Sequence, residues 1–331
     1  MTTKKLQNLE MEITYNSQNF PRHYGRTLRG SNILNFSPQE LFWAAITVGR
    51  ANVIDIISNG IYSEYEILYR ASIVAANIAQ NGNVLVKSSA YQSLDPSEKS
   101  AVSYFLGLTF CKLLSHRLLD VPWLLHIDVY RSHFIATGQA YRFGSSRLRP
   151  DMIGLDMSRR WVVMESKGRT NSFSPDLLVH GKNQTRNLKQ IGGSYPHLRV
   201  ASVTHFTNNV LTVDWQDPEG FNKDNFDLKT SLEDFLFYYY KLIVNILSSN
   251  ETTQLNGYTV YTFKNVNLTI GLDTTIFNAY KNKSLEKVQR QQIVPLVKFK
   301  EFPEQEFFAG ADGIIVGLGQ NWKDLIQTNE K

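Results

Sequence analysis

The segment from Arg149-Pro-Asp151 to Glu165-Ser-Lys167 constrains the fold most. Two short apolar runs, Met152–Leu155 and residues 161–164, flank the polar stretch Asp156-Met-Ser-Arg-Arg160. Strand-like runs around a polar, turn-forming centre predict a β-hairpin. The second arm, Trp-Val-Val-Met, is apolar at consecutive positions, which suits a central strand buried on both faces. A charged Glu-Ser-Lys follows directly. Side chains two apart on a strand share a face, so Glu165 and Lys167 point the same way. Asp151 opens the neighbouring arm beside them. Two carboxylates and an ammonium at the end of an apolar sheet are costly unless they pair with each other or hold a metal.

The charge distribution sharpens this. The chain has 331 residues and a formal net charge of +5. Residues 131–200 hold 12 Lys/Arg against 4 Asp/Glu, so the excess positive charge surrounds the hairpin. A basic field around paired carboxylates fits a polyanion such as nucleic acid. A solvated basic surface is the plainer alternative.

The first residues, Met-Thr-Thr-Lys-Lys-Leu-Gln, lack the apolar centre of a signal peptide. No apolar run reaches the ~20 residues of a membrane span. The single cysteine, Cys111, lies in an apolar helical pattern and suits a reducing compartment. These features lead us to expect a cytoplasmic protein without a membrane partner.

Ser37-Pro-Gln-Glu40 and Asp95-Pro-Ser-Glu98 each carry an N-cap, a proline at the first helical position and a capping-box acid. They predict helices over about 37–58 and 95–119, with another from Ser63 to about Gly82. Residues 9–15 alternate and predict an edge strand. Residues 123–130 predict a strand that sets His126 and Asp128 on one face, a metal pair or a hydrogen-bonded structural pair. Beyond the hairpin, a helix over 180–191 sets Gln184, Leu188 and Ile191 at i, i+4 and i+7, which carries Gln184 toward the sheet. Strands follow at 198–206 and 210–215. The last third predicts a helix over 232–247, a hairpin at 258–263 and 266–272, a basic helix over about 275–291, and a Gly-rich strand within 309–318. We divide the chain into a mainly helical region (1–94), a core (95–218) and an α+β region (219–331).

The core order is helix, strand, hairpin, helix, strand. Pro150-Asp151, thirteen residues, then Glu165-Ser-Lys167 resembles the motif of the PD-(D/E)XK nuclease superfamily. Gln184 resembles the helical Gln of its RecB-like and Mrr-like branches, but Leu188 stands where a tyrosine is often found there. The resemblance covers roughly 120 residues. It implies an α/β fold with a restriction-endonuclease-like core, a mixed β-sheet flanked by helices, between an N-terminal helical region and a C-terminal α+β extension. It also implies a Mg²⁺-dependent deoxyribonuclease of restriction, anti-phage defence or repair, with Mn²⁺ as the substitute ion and RNA as the alternative substrate. Partners of that setting would be DNA and a second copy of the chain or a defence-complex protein.

Under this resemblance Asp151 and Glu165 ligate the metal together with the backbone carbonyl of Ser166. Lys167 orients or deprotonates the attacking water, and Gln184 positions water or phosphate. Mg²⁺ prefers such oxygen donors and keeps several waters. Arg147, Arg149, Arg169, Lys182 and Arg186 would track the phosphate backbone. Glu98, Asp128 and Asp156 are the candidates for a further acidic ligand. Two other readings stay open: a non-cutting nucleic-acid-binding or assembly subunit on a nuclease-like scaffold, and an interaction module whose charge cluster is structural.

Overall fold

The computed structural model describes residues 10–49, 61–131, 149–217, 226–288, 294–297 and 299–327. In chain order the first elements are β1 (Met11–Gln18), β2 (Gly30–Phe36), α1 (Pro38–Thr47), α2 (Ile61–Asn77), β3 (Ile78–Asn81), β4 (Val84–Lys87) and α3 (Ser89–Ser93). The middle holds α4 (Pro96–Leu119), β5 (Trp123–His126), β6 (Met152–Leu155), β7 (Trp161–Arg169), α5 (Pro175–Arg186), β8 (Leu188–Ile191), β9 (Leu198–Thr207) and β10 (Val210–Gln216). The remainder comprises β11 (Phe226–Leu228), α6 (Leu232–Ser249), β12 (Thr253–Leu255), β13 (Tyr258–Phe263), β14 (Leu268–Asp273), α7 (Thr274–Lys281), β15 (Val294–Val297), β16 (Glu306–Ala309), β17 (Ile314–Leu318) and α8 (Gln320–Gln327).

A large mixed sheet organises the molecule, with helices on both faces. Its order is β2-β1-β10-β9-β7-β6-β5, with β4 bridging β1 and β10 at one end and β3 paired to β4. β7 and β9 run parallel, as do β1 and β10, while β5, β6 and β7 are antiparallel neighbours. β6 and β9 are buried along almost their whole length, the burial expected of central strands covered on both sides. α4 packs on one face of β7 and α5 on the other.

The capping signals explain α4. The Asp95 carboxylate accepts from the N–H groups of Ser97 and Glu98, Glu98 returns to the Asp95 N–H, and Pro96 sits in the first turn. Its inner face buries Phe110, Leu113 and Leu114 at zero exposure. Met164 of β7 meets this face, its sulfur 3.0 Å from the Ser115 hydroxyl.

Several expectations change. The N-terminal region is mixed rather than mainly helical: β1 to β4 all join the large sheet, and β1 lies between β2 and β10, not at an edge. α1 ends at Thr47, and residues 50–60 lie outside those described. α2 stops at Asn77, where the chain turns into the β3–β4 hairpin around Gly82, whose φ is +61°. β5 ends at His126, so His126 and Asp128 do not share a strand face. The basic helix ends at Lys281 and is followed by a single 3₁₀ turn, Leu285–Lys287. The Gly-rich segment 309–318 is the turn and second arm of the β16–β17 hairpin.

The C-terminal region forms a second, antiparallel sheet in the order β12-β13-β14-β17-β16-β15, and α6 packs between it, α2 and β5. One hydrophobic cluster contains α4, the large sheet, α6 and the inner face of β14 and β17. Among the described residues no helix is long and apolar enough to cross a membrane.

Candidate active site

β6 covers only part of β7. The two pair from Met152 opposite Met164 to Leu155 opposite Trp161. Among the described residues β7 continues to Arg169 paired with β9 alone, from Glu165 beside Ala201 to Arg169 beside His205. Among the described residues the edge of 165–169 that faces β6 therefore has no strand partner and forms a notch. Continuing the antiparallel register would set Pro150 opposite Ser166, and proline has no N–H to donate. The ladder stops there. The Ser166 N–H instead donates to Asp151 Oδ2 at 3.0 Å. A strand residue's N–H and C=O leave on the same edge, so the Ser166 carbonyl also points to the notch, with no ladder donor available from Pro150.

The charged side chains interlock across this gap. The Asp151 N–H donates to Glu165 Oε2 at 3.0 Å, and Lys167 Nζ donates to Glu165 Oε1 at 2.8 Å. Lys167 Nζ also donates to Gln184 Oε1 at 2.7 Å. The Gln184 amide nitrogen reaches the Arg149 carbonyl at 3.2 Å. Glu165 is 3% exposed at its side chain and Lys167 23%. Burial raises the Asp151 carboxyl above its ordinary range. Burial, and then the neighbouring Asp151 charge, push Glu165 up to about 8 against the pull of Lys167. Two desolvated carboxyls that repel each other form a site that a cation would relieve.

Gln184 reaches the site, but not in the expected helix. α5 begins at Pro175 and ends at Arg186, and Leu188 and Ile191 belong to β8. The buried face of α5 is Leu178, Gly181 and Thr185, and Gln184 lies beside it. Gly181 permits the approach: a Cβ there would lie 2.9 Å from Ala201 Cβ and 3.4 Å from Glu165 Cγ. On the opposite face Gly168 does the same for α4, since a Cβ there would fall 1.7 Å from the Ser103 carbonyl oxygen.

Of the expected phosphate-binding cations, Arg149 is engaged within the protein, its Nη2 2.7 Å from Asp128 Oδ2. Arg169 is exposed at the end of β7, and Lys182 and Arg186 stand one turn apart on α5, half-buried. Arg147 lies outside the described residues. The candidates for a further acidic ligand already hold partners within the protein, and Asp128 alone of them lies near the pair, where its charge adds to the burial that raises Asp151. Glu98 caps α4, Asp128 holds Arg149, and Asp156 closes the hairpin turn by accepting from the Ser158 and Arg160 backbone and the Arg160 side chain. Among the described residues no group of three His, Cys, Asp or Glu side chains could hold a metal. The donor set is therefore two carboxylates and a backbone carbonyl. It fits Mg²⁺, which takes one or two carboxylates and completes its shell with water and phosphate oxygen.

Two features escaped the sequence reading. Pro150 is one, and its missing N–H was a legible signal once the hairpin register was drawn. The other is Tyr104 of α4, whose hydroxyl lies 3.3 Å from His126 Nε2, while His126 Nδ1 accepts from the Asp128 N–H at 3.1 Å. Nothing local marks Tyr104, because its partners lie on other elements. Comparison with protein-family models, curated proteins and solved structures finds no match to this chain.

Proposed function

We propose that this protein is a metal-dependent nuclease with a restriction-endonuclease-like core, hydrolysing phosphodiester bonds of DNA at the Asp151–Glu165–Lys167 notch. The observation that carries the reading is the hydrogen-bonded unit in which Asp151 holds the Ser166 N–H, Glu165 holds Lys167, and Lys167 holds Gln184. A salt-bridged strand end needs only Glu165 and Lys167. A second, half-buried carboxylate beside them holds the Ser166 N–H but also adds like-charge repulsion next to Glu165, an arrangement that suits a divalent cation. Restriction, anti-phage defence or repair is the biological setting we propose, on the motif resemblance alone.

Asp151, Glu165 and the Ser166 carbonyl would hold Mg²⁺, which when bound neutralises charge on phosphoryl oxygens and favours ionisation of water. The chain's own residues do the rest. An ammonium has three donors, and two of those on Lys167 go to Glu165 and Gln184. The third, without a partner among the described residues, is left to orient the attacking water or meet a phosphate oxygen as charge builds there. Gln184, tethered to the Arg149 carbonyl, fixes the direction of that ammonium. Water oxygen bonds to phosphorus, one ester P–O bond breaks, and the leaving oxygen takes up a proton.

Plasmid DNA incubated with the protein in Mg²⁺ is expected to be cut, and EDTA to stop the cutting. Glu165→Ala and Lys167→Ala are expected to lower the rate at least about 100-fold, the scale of losing transition-state charge stabilisation. Equal cutting by all three proteins would sink the assignment of this site. No cutting by any, with retained DNA binding in Ca²⁺, would favour the non-cutting subunit.

A further inference from the structure

Tyr104 of α4 lies on the face of β7 opposite Gln184. Its main chain abuts β7, since a Cβ on Gly168 would lie 2.7 Å from Tyr104 N. Its hydroxyl ends at His126, the last residue of β5. β6 lies between those strands, and Asp151, the residue just before it, has its carbonyl held by the Ile127 N–H at 2.9 Å. The Tyr104 side chain therefore spans from β7 to β5 past the start of β6, on the α4 side of the acidic pair. Gln184 and α5 stand on the other side.

The hydrogen-bond network assigns the proton on His126. The Asp128 N–H can only donate, so His126 Nδ1 is an acceptor and carries no hydrogen. The ring hydrogen is then on Nε2, and His126 donates to Tyr104. The hydroxyl accepts that bond, and its own hydrogen has no acceptor among the described residues. Burial and the charges of Asp151, Glu165 and Asp128 all oppose its ionisation, which keeps that hydrogen in place. The residue as a whole is still 42% exposed, which leaves this face of the ring open to a ligand.

We propose that the Tyr104 hydroxyl is a substrate-contacting residue, donating its hydrogen bond to a non-bridging oxygen of the phosphodiester held at the notch, with His126 and the Asp128 backbone fixing its direction. The proposal rests on the reading of this notch as a phosphodiester site. It adds a neutral donor on the α4 side, opposite the Lys167 ammonium on the α5 side, so that the phosphate is gripped from both sides.

The test compares wild type with Tyr104→Phe, which keeps the ring and its packing. Affinity for a short DNA duplex is measured in Ca²⁺, and the single-turnover cleavage rate in Mg²⁺. A hydrogen bond to a charged group contributes about 1.5–3 kcal/mol, so about a 10- to 100-fold loss is expected in the cleavage rate or the affinity, with an unchanged melting temperature. Wild-type values in both assays would overturn the proposal while leaving the nuclease reading intact. Weakened binding by Tyr104→Phe in a protein that never cuts would support Tyr104 as a phosphate contact and overturn nuclease activity. A wild-type protein that neither binds nor cuts would overturn both. The ¹⁵N spectrum of His126 is an independent check: the Nε2–H form is expected, and the Nδ1–H form would reverse the bond to Tyr104 and remove the free donor.

Discussion

At the scale of the residue, the site turns on Glu165. Its folded pKa stands at about 8, raised by burial and by Asp151, against an ordinary 4.5. The folded protein therefore binds an extra proton between those values, and stability is fully present below about pH 4.5 and lost as pH rises through about 8. Asp151 shifts in the same direction. In EDTA, the melting temperature of wild type is expected to fall relative to Glu165→Gln as pH goes from 5 to 8.5. Roughly 2–4 °C corresponds to each kcal/mol lost in a domain of 150–250 residues. Adding Ca²⁺ at pH 8.5 should recover the difference, because an ion that binds only the folded state stabilises it. Parallel profiles for the two proteins would show that Glu165 is not held protonated. Arg149 illustrates the limit of residue-level reading. Its place in a basic run suggests phosphate binding, but Asp128 engages it from a segment twenty-one positions away.

At the scale of the element, glycine spacing sets how closely the helices approach β7. Gly168→Ala would drive a methyl into the Ser103 carbonyl of α4. Overpacking of this kind costs typically 1–3 kcal/mol, and the 1.7 Å contact with backbone puts this case at about the upper end. Urea denaturation should show it as a lower midpoint with unchanged slope. Gly181→Ala should behave differently. Alanine favours a helix over glycine by about 1 kcal/mol, which offsets a contact that α5 can relieve by a small shift away from Ala201. The expected result is near-wild-type stability with reduced cleavage, because the shift carries Gln184 away from Lys167. A stable Gly181→Ala protein with full activity would argue that the helix position is not critical. The elements themselves were unevenly legible. The capping box of α4 and the β6–β7 hairpin depend on neighbours in sequence and are legible there. α5 was placed by the apolar spacing of Leu188 and Ile191, yet those residues pair as β8 with β11, a partner nearly forty positions downstream.

At the scale of the whole molecule, the C-terminal region is fastened to the core by a buried charged network. Lys112 of α4 has no exposure, and its ammonium reaches the Pro122 carbonyl and the Tyr239 hydroxyl, the latter at 2.8 Å. Tyr239 in turn donates to Asp312 Oδ2 at 2.5 Å, and Trp43 Nε1 donates to Asp312 Oδ1 at 3.1 Å. Burial pulls Lys112 down to about 7 and pushes Asp312 up, each opposed by the other's charge. This network joins α1, α4, α6 and the β16–β17 turn. Asp312→Ala would leave the Trp43 Nε1–H and the Ile314 N–H without their acceptor, confine Tyr239 to the Pro122 carbonyl, and remove the charge that supports the buried Lys112 ammonium. Removing one partner of a buried pair costs about 3–5 kcal/mol, and chemical denaturation at pH 7 should show a loss of that size in one cooperative transition. A separate, early transition for the C-terminal region alone would show instead that it unfolds independently.

The hairpin, the capped helix before it and the alternation that sets Glu165 and Lys167 on one face are legible from the residues alone, because each follows from backbone geometry over a few residues. The sequence also held, in Pro150, the reason the β6–β7 ladder ends where the carboxylates begin. Which partners gather around the carboxylates depends on the packing of distant elements. Asp128 takes Arg149, Tyr104 arrives from α4 through His126, and Gln184 arrives from α5, all by contacts between elements distant in the chain. Such contacts are set by how closely helices can pack on a sheet, which here depends on the glycines and on the burial that makes an unpaired charge too costly to leave alone.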